Sequence, residues 1–326
     1  MNIPRHWAEH RLQEKRNGRQ VTVRRWGWSD TSEEEARSNA EARAKEAMTR
    51  IWSGEALRRR EPLETYGNEE GMPIREEVVS RFPHAVITRN SYGSLCLNTP
   101  RVLFADVDAT FRDPLRVSWG GCLLIVLAGL ALGIWQQSLW IGALVGIGIP
   151  WLWSAVNRRV RARRRPRLEA EARAEKLAGI RAFAAAHPAW CLRVYETPAG
   201  FRLLAMHELF EPRGEETKAA LEALNSDRRF ASLCLLQNCF RARVSPKYWR
   251  MGYRPSESLP KSKWPFPPEH LPRRRQWVEG YDRLAGGYAS CRFLEQLGDG
   301  GVHPEAEEVR KIHDELCRAG STLPIA

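Results

Sequence analysis

The sequence predicts an α+β fold: one cytoplasmic sheet-and-helix domain interrupted by a two-helix transmembrane hairpin, with helices at its C-terminal end. Three observations carry that expectation. Runs with strand-like alternation stand beside runs with helical spacing on both flanks of residues 117–157. No charged residue occurs between Arg116 and Arg158. The elements before that gap are too few to close a core alone, so strands from both flanks are expected to share one sheet. The expected segments are 1–116 (first half of the domain), 117–157 (hairpin), 158–252 (second half) and 253–326 (Pro-rich loop and terminal helices).

Taken in order, RQVTVRRW reads as a strand running into WGWSD. Thr31 precedes Glu34 with capping-box spacing, and Ala36, Ala40, Ala44, Ala47 and Ile51 then line one face of a helix. A loop rich in charge, Gly and Pro follows from Ser53 to Pro73. IREEVVSRF is expected to be a short helix, and HAVITRN, SLCLN and RVLFADVD three short strands, the first turn supplied by NSYG.

The uncharged gap divides at Gln136–Gln137 into two apolar stretches of spanning length, with Trp119, Trp151 and Trp153 near one interface and Trp135 and Trp140 near the other. Gly129, Gly133, Gly142, Gly146 and Gly148 would let the helices approach closely. Arg112 and Arg116 precede the first stretch, and Arg158, Arg159, Arg161, Arg163, Arg164, Arg165 and Arg167 follow the second. The positive-inside rule then places both termini in the cytoplasm at a bacterial-type inner membrane, with anionic headgroups as partners of the arginines. MNIPRHWAEHRLQEKR has no apolar core of a secretory signal.

Beyond the gap, Pro166 is expected to break a helix and RLEAEARAEKLAGIRAFAAAH to start another. WCLRVYE and FRLLAMH form a hairpin across TPAG, and EETKAALEALNSD a helix. Two terminal helices are expected near 277–297 and 304–319.

The net charge of +12 asks for an anionic partner: nucleic acid, nucleotide phosphate or an anionic membrane face. The seven cysteines are odd in number and lack a CxxC pair, which speaks for a reducing compartment without disulfides. His313 and Cys317 stand i,i+4 on a helix, a spacing open to metal. A helix face with one buried cysteine outweighs zinc there, because the other two ligands are not in view.

VLFADVDATF carries the clearest chemistry. Val102, Phe104, Asp106 and Asp108 share one face of a strand, so that face turns from apolar to acidic at its end. Adjacent carboxylates repel unless a cation or shared proton sits between them. DVDAT is similar to the DxDxT signature of haloacid-dehalogenase-like phosphatases, with Asp106 as nucleophile and Asp108 as acid/base. LGDGGVH then supplies Asp299 but not that family's second acid. The DxD pair is also similar to the manganese-holding acids of nucleotide-sugar glycosyltransferases.

More of the chain resembles archaeo-eukaryotic-type primase-polymerases: LFADVD, then TPAGFRLLAMH, NSDRRF and CFRARVSPKYWR. That resemblance implies a catalytic set of Asp106, Asp108 and His207. Asp106, Asp108 and Asp227 would hold Mg or Mn, His207 and Arg202 would touch a triphosphate, and Arg241, Arg243 and Lys247 would neutralise phosphates. Ala205 stands where that family has serine. GWSD, PIREEVV, ITRNSYG and CFRARVSPKYW also resemble an uncharacterised family of bacterial membrane-anchored proteins, which implies no activity.

The expected function is therefore a divalent-metal nucleotide-binding or nucleotidyl-transfer site. A non-catalytic tethered scaffold binding anionic lipid or a protein partner is the alternative. A phosphatase or glycosyltransferase using the DxD pair is a further one. Each residue has a plainer reading: the two acids cap a loop, His207 ends a strand, and the arginines of FRARVSPKYWR cover a sheet edge.

Overall fold

The computed structural model of the protein describes residues 1–61, 73–110, 119–254 and 263–326. Arg112, Arg116, Pro255, Pro260 and residues 62–72 of the charged loop lie outside the described residues. The fold is α+β, with ten strands and eight helices among the described residues. The chain divides into two compact units, Met1–Asp108 with Ile180–Ala326, and Ala109–Gly179.

The larger unit opens with a hairpin of β1 (His6–Arg16) and β2 (Arg19–Ser29). The strand over 6–16 carries too few apolar residues to stand out by alternation. Its signal is the turn: Asn17 and Gly18 both take positive φ, 45° and 78°, as a two-residue Asn-Gly hairpin turn requires. α1 (Glu33–Trp52) is capped by Ser32 rather than Thr31, the hydroxyl accepting the Glu35 N–H at 3.1 Å. Its alanine stripe is buried against β2, where a Cβ at Gly27 would collide with the Ala36 and Ala40 backbone.

IREEVVSRF is a strand instead of a helix: β3 (Glu77–Phe82) pairs with β4 (Ala85–Arg89) across a two-residue turn at Pro83–His84. The β-branched pair Val78–Val79 and that turn proline outweigh the helical spacing. β5 (Leu95–Thr99) and β6 (Phe104–Asp108) follow.

The smaller unit overturns the expected transmembrane hairpin. No helix among the described residues is long and apolar enough to cross a membrane. α2 (Trp119–Trp135) has 17 residues, about 25 Å of helix against a hydrocarbon core of about 30 Å. The second apolar stretch is not one helix. It breaks into α3 (Leu139–Ala143), a π-helical turn (Leu144–Gly148) and the start of α4 (Ile149–Ala186). Pro150 cannot donate a hydrogen bond back to residue 146, and the glycine-rich run around it yields easily. The expected inner-membrane location, with both termini cytoplasmic, loses its basis with the spans. Pro166 lies inside α4 without ending it. Two of the flanking arginines, Arg165 and Arg167, pair with Glu169 and Glu171 one turn on, both at 2.7 Å.

The chain then adds β7 (Leu192–Thr197), β8 (Gly200–Ala205), α5 (Glu215–Ala223), α6 (Arg228–Gln237) and β9 (Phe240–Arg243). α7 (Leu271–Ala285) ends before Gly286–Gly287, so the expected long helix to residue 297 is instead α7 followed by β10 (Arg292–Leu297). α8 (Pro304–Cys317) follows. Two antiparallel four-stranded sheets result, ordered β3-β4-β5-β9 and β10-β7-β8-β6. Each draws strands from before residue 109 and after residue 179. Phe104, Leu192, Leu203, Leu204 and Tyr195 fill the core of the second sheet.

Candidate functional site: a pocket of mixed charge at the end of β6

Antiparallel pairing of β6 with β8 sets Asp106 opposite Arg202 and Asp108 opposite Gly200. Phe104 is buried, and the two aspartates on the same face are only partly so, since the strand emerges there. Arg202 Nε donates to Asp106 Oδ1 at 2.9 Å, and Arg202 Nη1 to the Arg243 carbonyl at 2.8 Å. Burial opposes the Arg202 charge, but the ionised Asp106 beside it outweighs that cost and the guanidinium is held above its ordinary pKa.

The N-terminus of α6 docks on the same strand end. The Asp227 N–H and the Ser226 hydroxyl both donate to the Asp106 carbonyl, at 2.8 and 3.0 Å. Asp227 is the N-cap, its Oδ1 accepting the Phe230 N–H at 2.9 Å. A third carboxylate thereby joins the first two. Arg243 of β9 and Lys247 and Arg250 of the turn after it stand at the same place. Together these seven residues line a cavity of about 200 Å³, with Thr197, Phe230 and Ser290 among the others. Among the described residues Ser290 Oγ is buried there without a hydrogen-bond partner.

The electrostatics follow from this crowding. Burial raises the Asp108 carboxyl pKa, and the charges of Asp106 and Asp227 raise it further, against the pull of Lys247 and Arg250. Burial pushes the Lys247 ammonium down to about 8, with Arg243 and Arg250 adding to the fall. The pocket thus crowds three carboxylates and four cations, with Asp106 already in an ion pair with Arg202.

Of the residues expected from sequence, Asp106, Asp108, Asp227, Arg202, Arg243 and Lys247 meet at this pocket. His207 does not. It follows β8 at the end opposite the acids, five residues past Arg202, or roughly 16 Å along an extended strand. Its ring packs on Trp190 with centroids 4.4 Å apart, and burial lowers its pKa. Arg241 is also diverted: it donates to the fully buried Glu76 at 2.5 Å. Arg250, Ser290, Thr197 and Phe230 were not expected. Arg250 ends the KYWR run, whose turn after β9 aims it back at the acids. Ser290 had no local signal, being placed by the pairing of Ala289 with Ile325.

A second cluster lies behind Arg202. Cys291, His313 and Cys317 are each wholly buried, with ligand atoms all within 4.8 Å of one another. The three carboxylates of the pocket do not form so tight a set: Asp106 leans on Arg202, and Asp227 on its helix end.

No family model, curated protein or solved structure matches the chain.

Proposed function

We propose that the pocket binds the phosphate groups of a nucleotide together with Mg or Mn, in the manner of a nucleotidyl-transfer site. The observation that supports this is the meeting of both charges in one small cavity, lined by Asp106, Asp108 and Asp227 and by Arg243, Lys247 and Arg250. A volume of about 200 Å³ suits phosphates rather than a whole nucleotide, so sugar and base would lie outside it. The donor set is oxygen-only and hard, which fits Mg or Mn. Burial and, after it, the acidic neighbours raise the Asp108 pKa, a strain that a bound cation would relieve. When bound, such an ion neutralises phosphate oxygens and withdraws charge from them. The chain's own part is to hold Asp106 in place through Arg202, to gather phosphates with Arg243, Lys247 and Arg250, and to offer the Ser290 hydroxyl as a further contact.

A second reading draws support from Asp106 and Asp227, each of which already has a protein partner. In that reading both acids are structural, and the cations bind a phosphate-bearing ligand without metal. Thermal melts with Mn²⁺, with a non-hydrolysable nucleoside triphosphate, and with both separate the two. The metal-dependent reading expects stabilisation by the pair beyond the sum of its parts. Asp108→Asn should abolish that synergy, yet leave the ligand-free protein as stable as wild type or slightly more so. Asp106→Asn should destabilise instead, because it strips buried Arg202 of its partner. Stabilisation by triphosphate that ignores Mn²⁺ would leave only the second reading.

A further inference from the structure

Cys291, His313 and Cys317 come from two elements that the fold brings together. Cys291 ends the segment before β10, whose Ser290 N–H donates to the Cys317 carbonyl at 3.0 Å. His313 and Cys317 share one face of α8, one turn apart. All three are at 0 % exposure, so solvent does not satisfy their polar atoms.

The imidazole is oriented as a ligand would be. His313 Nδ1 lies 3.0 Å from Asp314 Oδ1, so with the carboxylate ionised Nδ1 donates and Nε2 turns its lone pair inward. Nε2 stands 3.5 Å from Cys317 Sγ and 3.9 Å from Cys291 Sγ. A tetrahedral zinc with bonds of roughly 2.3 Å to sulfur and 2.0–2.1 Å to nitrogen holds S and N about 3.6 Å apart. The two nitrogen–sulfur separations therefore match those edges of a zinc site before any ion is placed. Phe104 and Tyr195 pack on the His313 ring, with centroids at 5.3 and 4.7 Å, and fix its plane.

We propose that Cys291, His313 and Cys317 bind one zinc ion, which locks α8 to the sheet behind the pocket. Two thiolates and a neutral imidazole balance the ion's charge, so Arg202, whose Nη1 is 3.5 Å from His313 Nε2, keeps its own charge for Asp106. Binding releases the two thiol protons to solvent. With three protein donors, the fourth position of the tetrahedron would be filled by a small ligand when zinc is bound. The soft sulfur donors set this site apart from the oxygen-lined pocket, and the proposal does not depend on the reading of that pocket.

The test uses the full chain, reduced, loaded with zinc and freed of loose metal by a weak chelator. Native mass spectrometry should count one zinc per chain, and Co²⁺ in its place should give intense thiolate-to-cobalt charge-transfer absorption. Cys291→Ser and Cys317→Ser should each lose the ion, whereas Cys239→Ser, a buried thiol outside the cluster, and Asp108→Asn should keep it. Should the serine variants fail to fold, the zinc count and the Co²⁺ charge-transfer bands of the wild type carry the test. A folded, reduced wild type that takes up no zinc, or binds Co²⁺ without charge-transfer bands, would overturn the proposal and leave a packed thiol–imidazole cluster.

Discussion

Arg241 and Arg243 leave the same face of β9 two residues apart, and one becomes structure while the other borders a site. Arg241 meets Glu76, which is wholly buried and also accepts from the Thr88 hydroxyl at 2.7 Å. Thr88 in turn is reached by Asn98 Nδ2 at 3.0 Å, so charge and hydrogen bonds close into a network within the first sheet. Arg243 faces a cavity where acids repel one another and cations crowd. A buried ion pair at one end of a strand and a cation lining a cavity at the other distinguish a folding element from a binding element more clearly than residue type does.

The largest effect should come from opening the closed end. Glu76→Ala strands the Arg241 guanidinium in the interior and is expected to cost about 3–5 kcal/mol in urea unfolding. Arg243→Ala should cost less than about 1 kcal/mol, since the hydrogen bond from Arg202 goes to the Arg243 backbone. It should instead weaken triphosphate binding. Equal losses of stability at the two positions would erase the distinction between the ends of β9.

Much of the pocket was legible because local chemistry and strand pairing agreed. The acids of LFADVD share a face by strand alternation, and the hairpin across TPAG carries Arg202 into register with Asp106. What was not legible is pairing over distance. Nothing near Arg241 announces Glu76, 165 residues away. His207 looked eligible because it ends the right strand, but antiparallel pairing sends it to the wrong end. Cys291 lacks a ligand-like neighbour and joins His313 and Cys317 only through the packing of α8. The apolar run over 117–157 was legible as apolar and as divided at Gln136–Gln137, but not the interruption of its second half by a π-helical turn before Pro150.

A sharper comparison within the pocket uses pH. Lys247 titrates near 8 in the folded chain against an ordinary value near 10.5. Between those values the unfolded chain holds the proton that the folded chain has released, so this group makes stability rise with pH across that window. Phosphate binding runs the other way, because only the protonated ammonium attracts the anion. Affinity for tripolyphosphate should fall roughly tenfold as pH rises through about 8, the scale of one charged hydrogen bond. Lys247→Met should bind weakly at both ends and lose the step. Calorimetric titrations on either side of pH 8 check this, and a step that survives in Lys247→Met would move the titrating group elsewhere.

The smallest effect separates the two duties of Asp227. Its Oδ1 caps α6, and its charge faces Asp106 and Asp108. Asp227→Ala removes both, and should cost about 0.5–2 kcal/mol, the scale of a lost helix cap. Asp227→Ser keeps a capping oxygen but removes the charge, and should stay within about 0.5 kcal/mol of wild type. The two variants should lose Mn²⁺-dependent stabilisation alike if the carboxylate serves the ion. Loss in Asp227→Ala alone would assign the residue to α6, placing it with Arg241 among the groups that hold the fold rather than those that face the ligand.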